Sequence, residues 1–260
     1  MRICRFISQP TGQAYWGLIE GELVQPLDGE DLFAALSAKR TQNALPLQSV
    51  RLLAPVSPSK IVCVGRNYRE HAAELGNQMP SEPLIFLKAP SAITGPDESI
   101  LLPPESMQVE HEGELGVVIG REMRRLDASD DPLAYVLGYT CVNDVTARDL
   151  QRKDVQFTRA KSFDTFCPVG PFIETELDPG TLSLETRVNG QVKQSARTSA
   201  MAFDVPFLLR YISLAMTLRP GDLVATGTPA GVSRMSVGDV VEVEVEKIGV
   251  LRNTVESLRV

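Results

Sequence analysis

The chain has 260 residues, a composition typical of soluble globular proteins and a formal net charge of −7 at pH 7. This length allows one large domain or a large and a small one, and the charge argues against nucleic acid or an anionic membrane as a partner. The N-terminus lacks a signal-peptide core and no apolar run reaches transmembrane length, so we expect a cytoplasmic protein. The cysteines have no CxxC spacing and are predicted to be buried free thiols: Cys4, Cys63, Cys141 and Cys167.

Residues 1–55 are predicted to form a small β-rich N-terminal domain, and residues 56–260 a second, larger domain. Two short strands around Glu20-Gly21 indicate a hairpin within "AYWGLIEGELVQPLDG". A short helix is predicted in "EDLFAALSAK". The two prolines of "RLLAPVSPSK" indicate a linker between the domains.

The larger domain begins with a buried strand, "KIVCVG", and continues with a short helix, "NYREHAAELG". Asn67 is the predicted N-cap of this helix, Glu70 its capping-box partner and Gly76 the residue past its end. The polar stretch "NQMPSEP" that follows has little apolar content to hold it in place. Residues 67–82 are therefore predicted to form a mobile lid.

Strands dominate the rest of the chain. The next ones are predicted in "LIFLK" and in "LAYVLGYTCVND", which ends at Asp144 before a helix, "VTARDLQRKD", that Asp144 would cap. Near the C-terminus, valines alternate with glutamates in "VVEVEVE", the pattern of a half-buried strand. The predicted fold is mostly β with a few short helices, in the α+β class, as a barrel or sandwich.

Three carboxylates are candidate metal ligands. In the extended segment "QVEHEGELGVVIG", Glu112 and Glu114 lie two residues apart and therefore point to the same face. If Asp144 joins them, the three like charges repel one another unless a cation lies between them, and an all-oxygen site favours magnesium, manganese or calcium. The alternative is that Asp144 is only a helix cap and the glutamates form a solvated strand face. Spacing alone leaves both open.

His71 and Glu74 lie at positions i and i+3 of the predicted helix, so the carboxylate can orient the imidazole for activation of a water molecule. Strand alternation points the second histidine, His111, away from Glu112, and we expect it to be structural or on the surface. Lys161 is a candidate for stabilising an anionic substrate, and Thr228 lies in a glycine-rich turn that is a candidate carboxylate nest. An exposed His–Glu pair, a loop lysine and a plain turn are the alternatives.

Several segments, in order over roughly residues 58–255, together resemble the fumarylacetoacetate hydrolase family: "VGRNYREHAAE", "IFLKAPSAITGP", "HEGELGVVIG", "GYTCVNDVTARDLQ", "RAKSFDTFCPVGP" and "GDLVATGTPAGV". The resemblance implies a mixed β-sandwich roll that is usually a homodimer. It also implies that residues 56–260 are the catalytic domain and that residues 1–55 are the N-terminal domain of some bacterial members. The eponymous hydrolases have a further metal-ligand aspartate before the catalytic histidine, which is missing from "KIVCVG". With this departure the chain resembles the smaller branch of the family, which acts on acylpyruvates, oxaloacetate or ring-cleavage dioates.

The resemblance also implies a role for individual residues. It assigns binding of Mg²⁺ or Mn²⁺ (Ca²⁺ being possible in crystals) to Glu112, Glu114 and Asp144, catalysis to His71, Glu74 and Lys161, and substrate contacts to Arg66, Arg148, Gln151 and Thr228.

The activity implied is that of a divalent-metal-dependent enzyme acting on 2-oxo or 2,4-dioxo acids through a metal-bound enolate. Because His71 and Glu74 are both present, hydrolysis or decarboxylation is favoured over a pure isomerase. The expected reaction is hydrolysis of a C–C bond in an acylpyruvate-type substrate, in the catabolism of aromatic or related compounds. An oxaloacetate-type decarboxylase and a 2-hydroxyhepta-2,4-diene-1,7-dioate (5-carboxymethyl-2-hydroxymuconate) isomerase share this intermediate and stay open. A metal-binding module without catalysis ranks lowest, because such a module would be expected to lack His71, Glu74 or Lys161, and all three are present.

Overall fold

The structure, a computed structural model, describes residues 1–8, 12–38 and 43–258. The strands in these residues are β1 Arg2–Ser8, β2 Ala14–Glu20, β3 Leu23–Leu27, β4 Leu45–Pro46, β5 Val50–Leu53, β6 Ile61–Gly65, β7 Leu84–Lys88, β8 Ile93–Thr94, β9 Ser99–Leu102, β10 Val109–Glu110, β11 Gly113–Ile119, β12 Val136–Asn143, β13 Thr146–Ala147, β14 Cys167–Glu174, β15 Ser183–Val188, β16 Gln191–Arg197, β17 Leu223–Ala225, β18 Val240–Val245 and β19 Gly249–Ser257. The α-helices are α1 Leu32–Ser37, α2 Arg69–Glu74, α3 Arg148–Lys153, α4 Thr158–Lys161 and α5 Val205–Ala215.

Two large sheets carry the fold. The first has the strand order β4-β3-β2-β1-β14-β12-β11-β17-β6-β7, with β5 added beside β1 and β8 beside β14, and the second has the order β16-β15-β18-β19-β9. Most neighbours are antiparallel, but β17 pairs with β6, β8 with β14 and β9 with β19 in parallel. The predicted mostly β, mixed sandwich fold is confirmed.

The core lies between the two sheets and under α5. Alternating side chains of β11, such as Leu115 and Val117, pack with Val243 and Val245 of β18, and the buried face of α5 joins them. Along β18, Val241, Val243 and Val245 are buried while Glu242 and Glu244 between them are half-buried, as the alternation predicts. Apolar burial at about 25 cal/mol per Å² is what holds the sheets together.

The N-terminal unit joins the first sheet rather than standing apart. Its β1 pairs with β14 at Arg2↔Glu174 and Ile3↔Ile173, and the predicted hairpin is present as β2 and β3. The segment predicted as a linker is wrong in part, because its first residues form β5 beside β1. Tertiary pairing made a strand where the prolines suggested only a connection.

Two helix caps differ from the prediction. The residue before α2 is Tyr68, which gives no side-chain cap, so the capping box of Asn67 and Glu70 is wrong. The buried Asn67 amide instead donates to the carbonyl oxygens of Phe203 (3.0 Å) and Thr226 (2.8 Å). Gly76 does lie just past the helix with a φ of 68°, in the left-handed region that glycine adopts readily.

Asp144 does not cap α3, whose preceding residue is Ala147 and which has no side-chain cap. The four cysteines are buried and free, as predicted. Among the helices of the described ranges, none is long and apolar enough to cross a membrane.

Candidate functional site

Three buried carboxylates converge where β11 and β12 meet. Glu114 lies in β11, Glu112 lies immediately before β11, and Asp144 lies immediately after β12. The pairing Gly113↔Asn143 brings Glu112 and Asp144 together, and the Asp144 backbone N–H donates to the Glu112 carbonyl at 2.8 Å. One oxygen from each of the three carboxylates lies within 4.8 Å of the others. We call Glu112, Glu114 and Asp144 the acid cluster; at most 4% of each residue is exposed, which excludes a solvated strand face.

Gly113 lets the acid cluster approach the second sheet. A Cβ at this position would lie 2.0 Å from the Thr186 hydroxyl oxygen of β15, a separation that packed atoms do not adopt. A larger residue would force the Thr186 side chain or β11 itself to shift. The glycine between the two glutamates is therefore needed for the packing that buries both carboxylates.

Two buried lysines neutralise part of this charge. The Lys161 ammonium donates to Glu112 Oε2 (2.7 Å) and Asp144 Oδ2 (2.6 Å), and the Lys88 ammonium donates to Asp144 Oδ1 at 2.6 Å. Burial alone would lower the pKa of Lys161, but Asp144 and Glu112 outweigh it and raise that pKa, so the lysine remains charged. Lys161 thus reaches inward, as the sequence suggested.

Arg148 holds the other side of Glu112. Its guanidinium pairs with Glu110 Oε2 (2.7 Å), with Glu112 Oε1 and with the Gln151 amide oxygen (2.6 Å). Burial opposes ionisation of Glu112, yet Lys161 and Arg148 outweigh it and lower the pKa of Glu112. The carboxylate is therefore ionised and fixed from two directions.

Glu114 differs from the other two acids because no described cationic group forms an ion pair with it. Among the described residues, the one hydrogen-bond donor to its carboxylate is the Gly227 backbone N–H, 2.8 Å from Oε2. Burial, followed by repulsion from Asp144 and Glu112, raises the pKa of Glu114 well above its ordinary value. A buried carboxylate beside two others, without its own cation, fits a hard divalent ion bound by oxygen ligands.

His71 and Glu74 lie over the same site as the acid cluster. His71 Nδ1 is 3.4 Å from Glu74 Oε2, within ion-pair distance but without a hydrogen bond. Glu74 is itself anchored by the Gly231 N–H at 3.0 Å. Burial of His71, only partly offset by the charge of Glu112, lowers the pKa of the imidazole, which therefore remains neutral and able to accept a proton near pH 7.

A cleft of about 360 Å³ connects these groups. It is lined by six of the residues assigned to catalysis or substrate: His71, Glu74, Lys161, Arg66, Arg148 and Gln151. Glu112 also lines it, so the acid cluster is accessible from the cleft. The volume is in the range of sites for small molecules.

Thr228 is not among the residues that line this cleft. Its hydroxyl donates to the Gly113 carbonyl (2.8 Å) and accepts from the Gln194 amide (2.7 Å), so it braces β11. The predicted carboxylate nest has a different occupant, since the turn presents the Gly227 N–H to Glu114. Gly227 has a φ of 101°, and a Cβ there would lie 2.7 Å from that of Asn67.

The sequence analysis overlooked three residues and placed a fourth correctly. Lys88 was taken only as part of a strand, and nothing local indicated that Asp144 would face it. Arg152 and Phe157 line the cleft and were not singled out. His111 is buried between Gln194 and Ser233, in a structural place as expected.

Comparisons with known proteins agree with this architecture. Residues 60–256 match the family described as fumarylacetoacetate (FAA) hydrolase C-terminal, and residues 1–55 match the Rv2993c-like N-terminal family. A mitochondrial oxaloacetate tautomerase, Fahd2a of Rattus norvegicus, is 44% identical over 248 residues, or 90% of this chain and 79% of the relative.

Two solved structures are similar over nearly the whole chain. The 2-hydroxyhepta-2,4-diene-1,7-dioate isomerase from Mycobacterium marinum is 46% identical with a TM-score of 0.89, covering 99% of this chain and 98% of the other. The maleylpyruvate hydrolase from Sphingobium sp. SYK-6, in complex with manganese(II) and pyruvate, is 31% identical with a TM-score of 0.80, covering 100% of both chains.

Proposed function

We propose that this chain, which belongs to the fumarylacetoacetate hydrolase family, moves a proton at the carbon next to the oxo group of a 2-oxo acid. This is tautomerase or isomerase chemistry. The members of this family are enzymes. The observation that carries the proposal is a buried His71, 3.4 Å from Glu74, in a cleft that four cationic side chains line and that opens onto the acid cluster. Burial also lowers the pKa of the imidazole. The names of the 44–46% identical relatives, an oxaloacetate tautomerase and a dioate isomerase, support the same chemistry.

The charges of the cleft favour an anionic substrate. Arg66, Arg148, Arg152 and Lys161 line it, against the acids Glu74 and Glu112. In a protein of net charge −7, such a local excess of cations concentrates anions at the site. A 2-oxo carboxylate fits this surface.

Each side chain then has a defined task. His71 accepts the proton from the carbon next to the oxo group and returns it, since a base with a pKa near or below neutrality can do both. Glu74, anchored by Gly231, keeps the imidazole oriented and stabilises its cation. Lys161, charged and buried beside Glu112, favours negative charge that develops on the substrate.

The acid cluster is proposed to hold Mg²⁺ or Mn²⁺. Such an ion supplies a positive charge that polarises the carbonyl group of a 2-oxo acid. Glu114, the carboxylate without a cationic partner, is the residue whose environment most requires it.

Hydrolysis of a C–C bond, the reaction favoured by the sequence, is the second candidate. The intact His71–Glu74 pair supports it, because the same base that accepts a proton from carbon can accept one from water. The 31% identical maleylpyruvate hydrolase is consistent with this alternative.

One panel of substrates separates these reactions. Purified protein with Mg²⁺ or Mn²⁺ is assayed on oxaloacetate for enol–keto interconversion by ultraviolet absorbance, and on oxaloacetate, acetylpyruvate and maleylpyruvate for pyruvate release. Proton transfer without pyruvate release supports the proposal. Pyruvate release from the acylpyruvates would instead support hydrolysis, and release from oxaloacetate would indicate decarboxylation.

His71→Ala tests the assigned base in the same assays. We expect turnover to fall by roughly 10²–10⁴-fold, the usual scale for a lost general base, with unchanged manganese affinity. Glu70→Ala, an exposed change on the same helix, is the matched control and should retain activity. Unchanged turnover in His71→Ala would refute the assignment, and lost manganese binding would make His71 a ligand.

A further inference from the structure

Gln194 is a fully buried amide that does not line the cleft. It lies in β16, an edge strand of the second sheet, and it is the one buried residue of that strand. A buried amide costs free energy unless its donors and acceptors are used. The apolar core needs no glutamine at this position, so the reason for it lies in what the amide binds.

The amide of Gln194 uses its full hydrogen-bonding capacity. Its oxygen accepts the Gly113 backbone N–H at 3.0 Å and lies 3.2 Å from His111 Nδ1. Its nitrogen donates to the Thr228 hydroxyl and to the Pro229 carbonyl oxygen, each at 2.7 Å. An amide has two acceptor positions and two N–H groups. Gln194 therefore connects β16 both to the start of β11 and to the segment after β17.

This segment, residues 226–231, which we call the glycine turn, has no helix or strand and supplies a backbone N–H to each part of the site. The Gly227 N–H donates to Glu114 Oε2 at 2.8 Å, and the Gly231 N–H donates to Glu74 Oε1 at 3.0 Å. A displacement of the glycine turn would therefore move one donor of the acid cluster and the donor that anchors the partner of the imidazole.

The glycine turn is held by β16 at two points. Gly231 has a φ of 103°, and a Cβ there would lie 1.9 Å from the Lys193 carbonyl oxygen, so the two backbones are in direct contact. At the next residue of β16, Gln194 binds Thr228 and Pro229. A buried polar network in which every group is satisfied makes its surroundings rigid.

We infer that Gln194 is a positioning residue, which holds the glycine turn so that its two N–H groups orient Glu114 and Glu74. The inference goes beyond the proposed function and rests on it for the roles of these two acids. Replacement of a group that orients metal ligands from behind typically changes metal affinity or activity by about 10–100-fold.

Gln194→Met tests the inference, because the new side chain is similarly long and unbranched but has no amide. Calorimetry should show manganese affinity about 10–100-fold below that of wild type. Hydrogen–deuterium exchange, followed by mass spectrometry without metal or substrate, should become faster in residues 226–231 and 69–76. Exchange in β12 and β14 should stay unchanged, because these strands do not depend on the amide.

Gln191→Met is the matched control, since it makes the same change at an exposed position of the same strand, and it should alter neither readout. Gln194→Asn keeps an amide that is one methylene too short to reach both sides. It should give intermediate values, and it carries the test if Gln194→Met does not fold.

The inference is overturned if manganese affinity or exchange is the same in both Gln194 variants as in wild type. It is also overturned if exchange rises evenly over the whole protein, which is the result expected of a residue that only stabilises the fold. If wild-type protein binds no manganese, the ion proposed for the acid cluster is refuted and exchange alone decides. Localised exchange in a protein inactive on every 2-oxo acid would refute the proposed function alone, whereas turnover in wild type with unchanged exchange in the variants would refute this inference alone.

Discussion

Asp144 and Asp222 are both fully buried aspartates, yet their surroundings differ. Asp222 follows the turn at the start of β17 and accepts backbone N–H groups from Ser59 (2.9 Å), Lys60 (3.1 Å) and Arg219 (2.8 Å), together with the Ser59 hydroxyl and the Lys60 ammonium. We call this set the Asp222 hub. It attaches the chain before β6 to the chain before β17.

The side chain of Asp144 accepts from the ammonium groups of Lys88 and Lys161, and it lies beside two further carboxylates. Its charge is balanced by side-chain cations rather than by backbone donors. The comparison teaches that a buried acid satisfied by backbone amides serves the fold. A buried acid balanced by cations and crowded by like charges is suited to bind a ligand.

The largest expected effect comes from Glu114→Gln, which removes one of the three like charges that distinguish the acid cluster from the Asp222 hub. The side chain keeps its shape, so the fold should be retained, but one anionic oxygen ligand is lost and activity should fall to background. Wild-type protein should gain about 2.7 kcal/mol of stability at a manganese concentration 100 times the dissociation constant, and Glu114→Gln should gain far less. Differential scanning calorimetry with and without manganese checks this, and full activity in the variant would contradict a metal site at the acid cluster.

Lys88→Met breaks the pair at Asp144 and leaves a buried carboxylate with one cation fewer. Removal of one partner of a buried pair costs about 3–5 kcal/mol, so the metal-free variant should unfold at clearly lower denaturant concentration. Saturating Mn²⁺ should recover part of the loss, because it compensates the same carboxylate. If the destabilisation is equal with and without the ion, Lys88 serves the fold alone.

Asp222→Asn should affect stability but not chemistry. The amide nitrogen of asparagine would face the Arg219 N–H and the Lys60 ammonium. All three groups are hydrogen-bond donors, so the free energy of unfolding should fall by about 1–3 kcal/mol. Activity per folded molecule should stay unchanged, since Asp222 does not line the cleft. Asp154→Asn, which removes an exposed ion pair with Arg159, is the control and should change stability much less.

The smallest expected effect is a pH dependence of the difference in stability between wild type and Asp222→Asn. Burial alone would raise the pKa of Asp222, but the Arg219 amide, Lys60 and Ser59 outweigh it and lower this pKa below the ordinary value. Because the folded pKa is depressed, the stabilisation is fully present above the unfolded value of about 4 and is lost as pH falls through the folded value. Denaturation of wild type and Asp222→Asn between pH 7 and pH 3 should show the two curves converging at low pH, and a constant gap would contradict the ionic part of the hub.

Much of the candidate site was accessible from local patterns. The alternation of side chains placed Glu112 and Glu114 on one face, and the i, i+3 spacing placed His71 beside Glu74. Both are geometric relations between near neighbours along the chain. The structure brings each pair together, whereas the predicted mobility of residues 67–82 stays a prediction.

Local capping rules failed where a distant partner was stronger. Asn67 and Asp144 are both good N-cap residues, but the amide of Asn67 is used by Phe203 and Thr226, and the carboxylate of Asp144 by Lys88 and Lys161. The Thr228 hydroxyl donates to the Gly113 carbonyl, and its predicted contact with the substrate stays a prediction. A side chain that has several possible hydrogen bonds takes the set that the assembled core offers.

The sequence by itself determined many of the strands and turns and the facing of neighbouring side chains, because these depend on backbone geometry over a few residues. The strand β5, which lies in the segment predicted as a linker, depended on tertiary pairing instead. Only the tertiary structure decided that Lys88 lies against Asp144, 56 residues away, and that Glu114 is the acid without a cation. It also decided that Arg152 lines the cleft. Such partners are chosen by sheet register and by burial, which raises the free-energy cost of any unpaired charge, and neither is written in a local pattern.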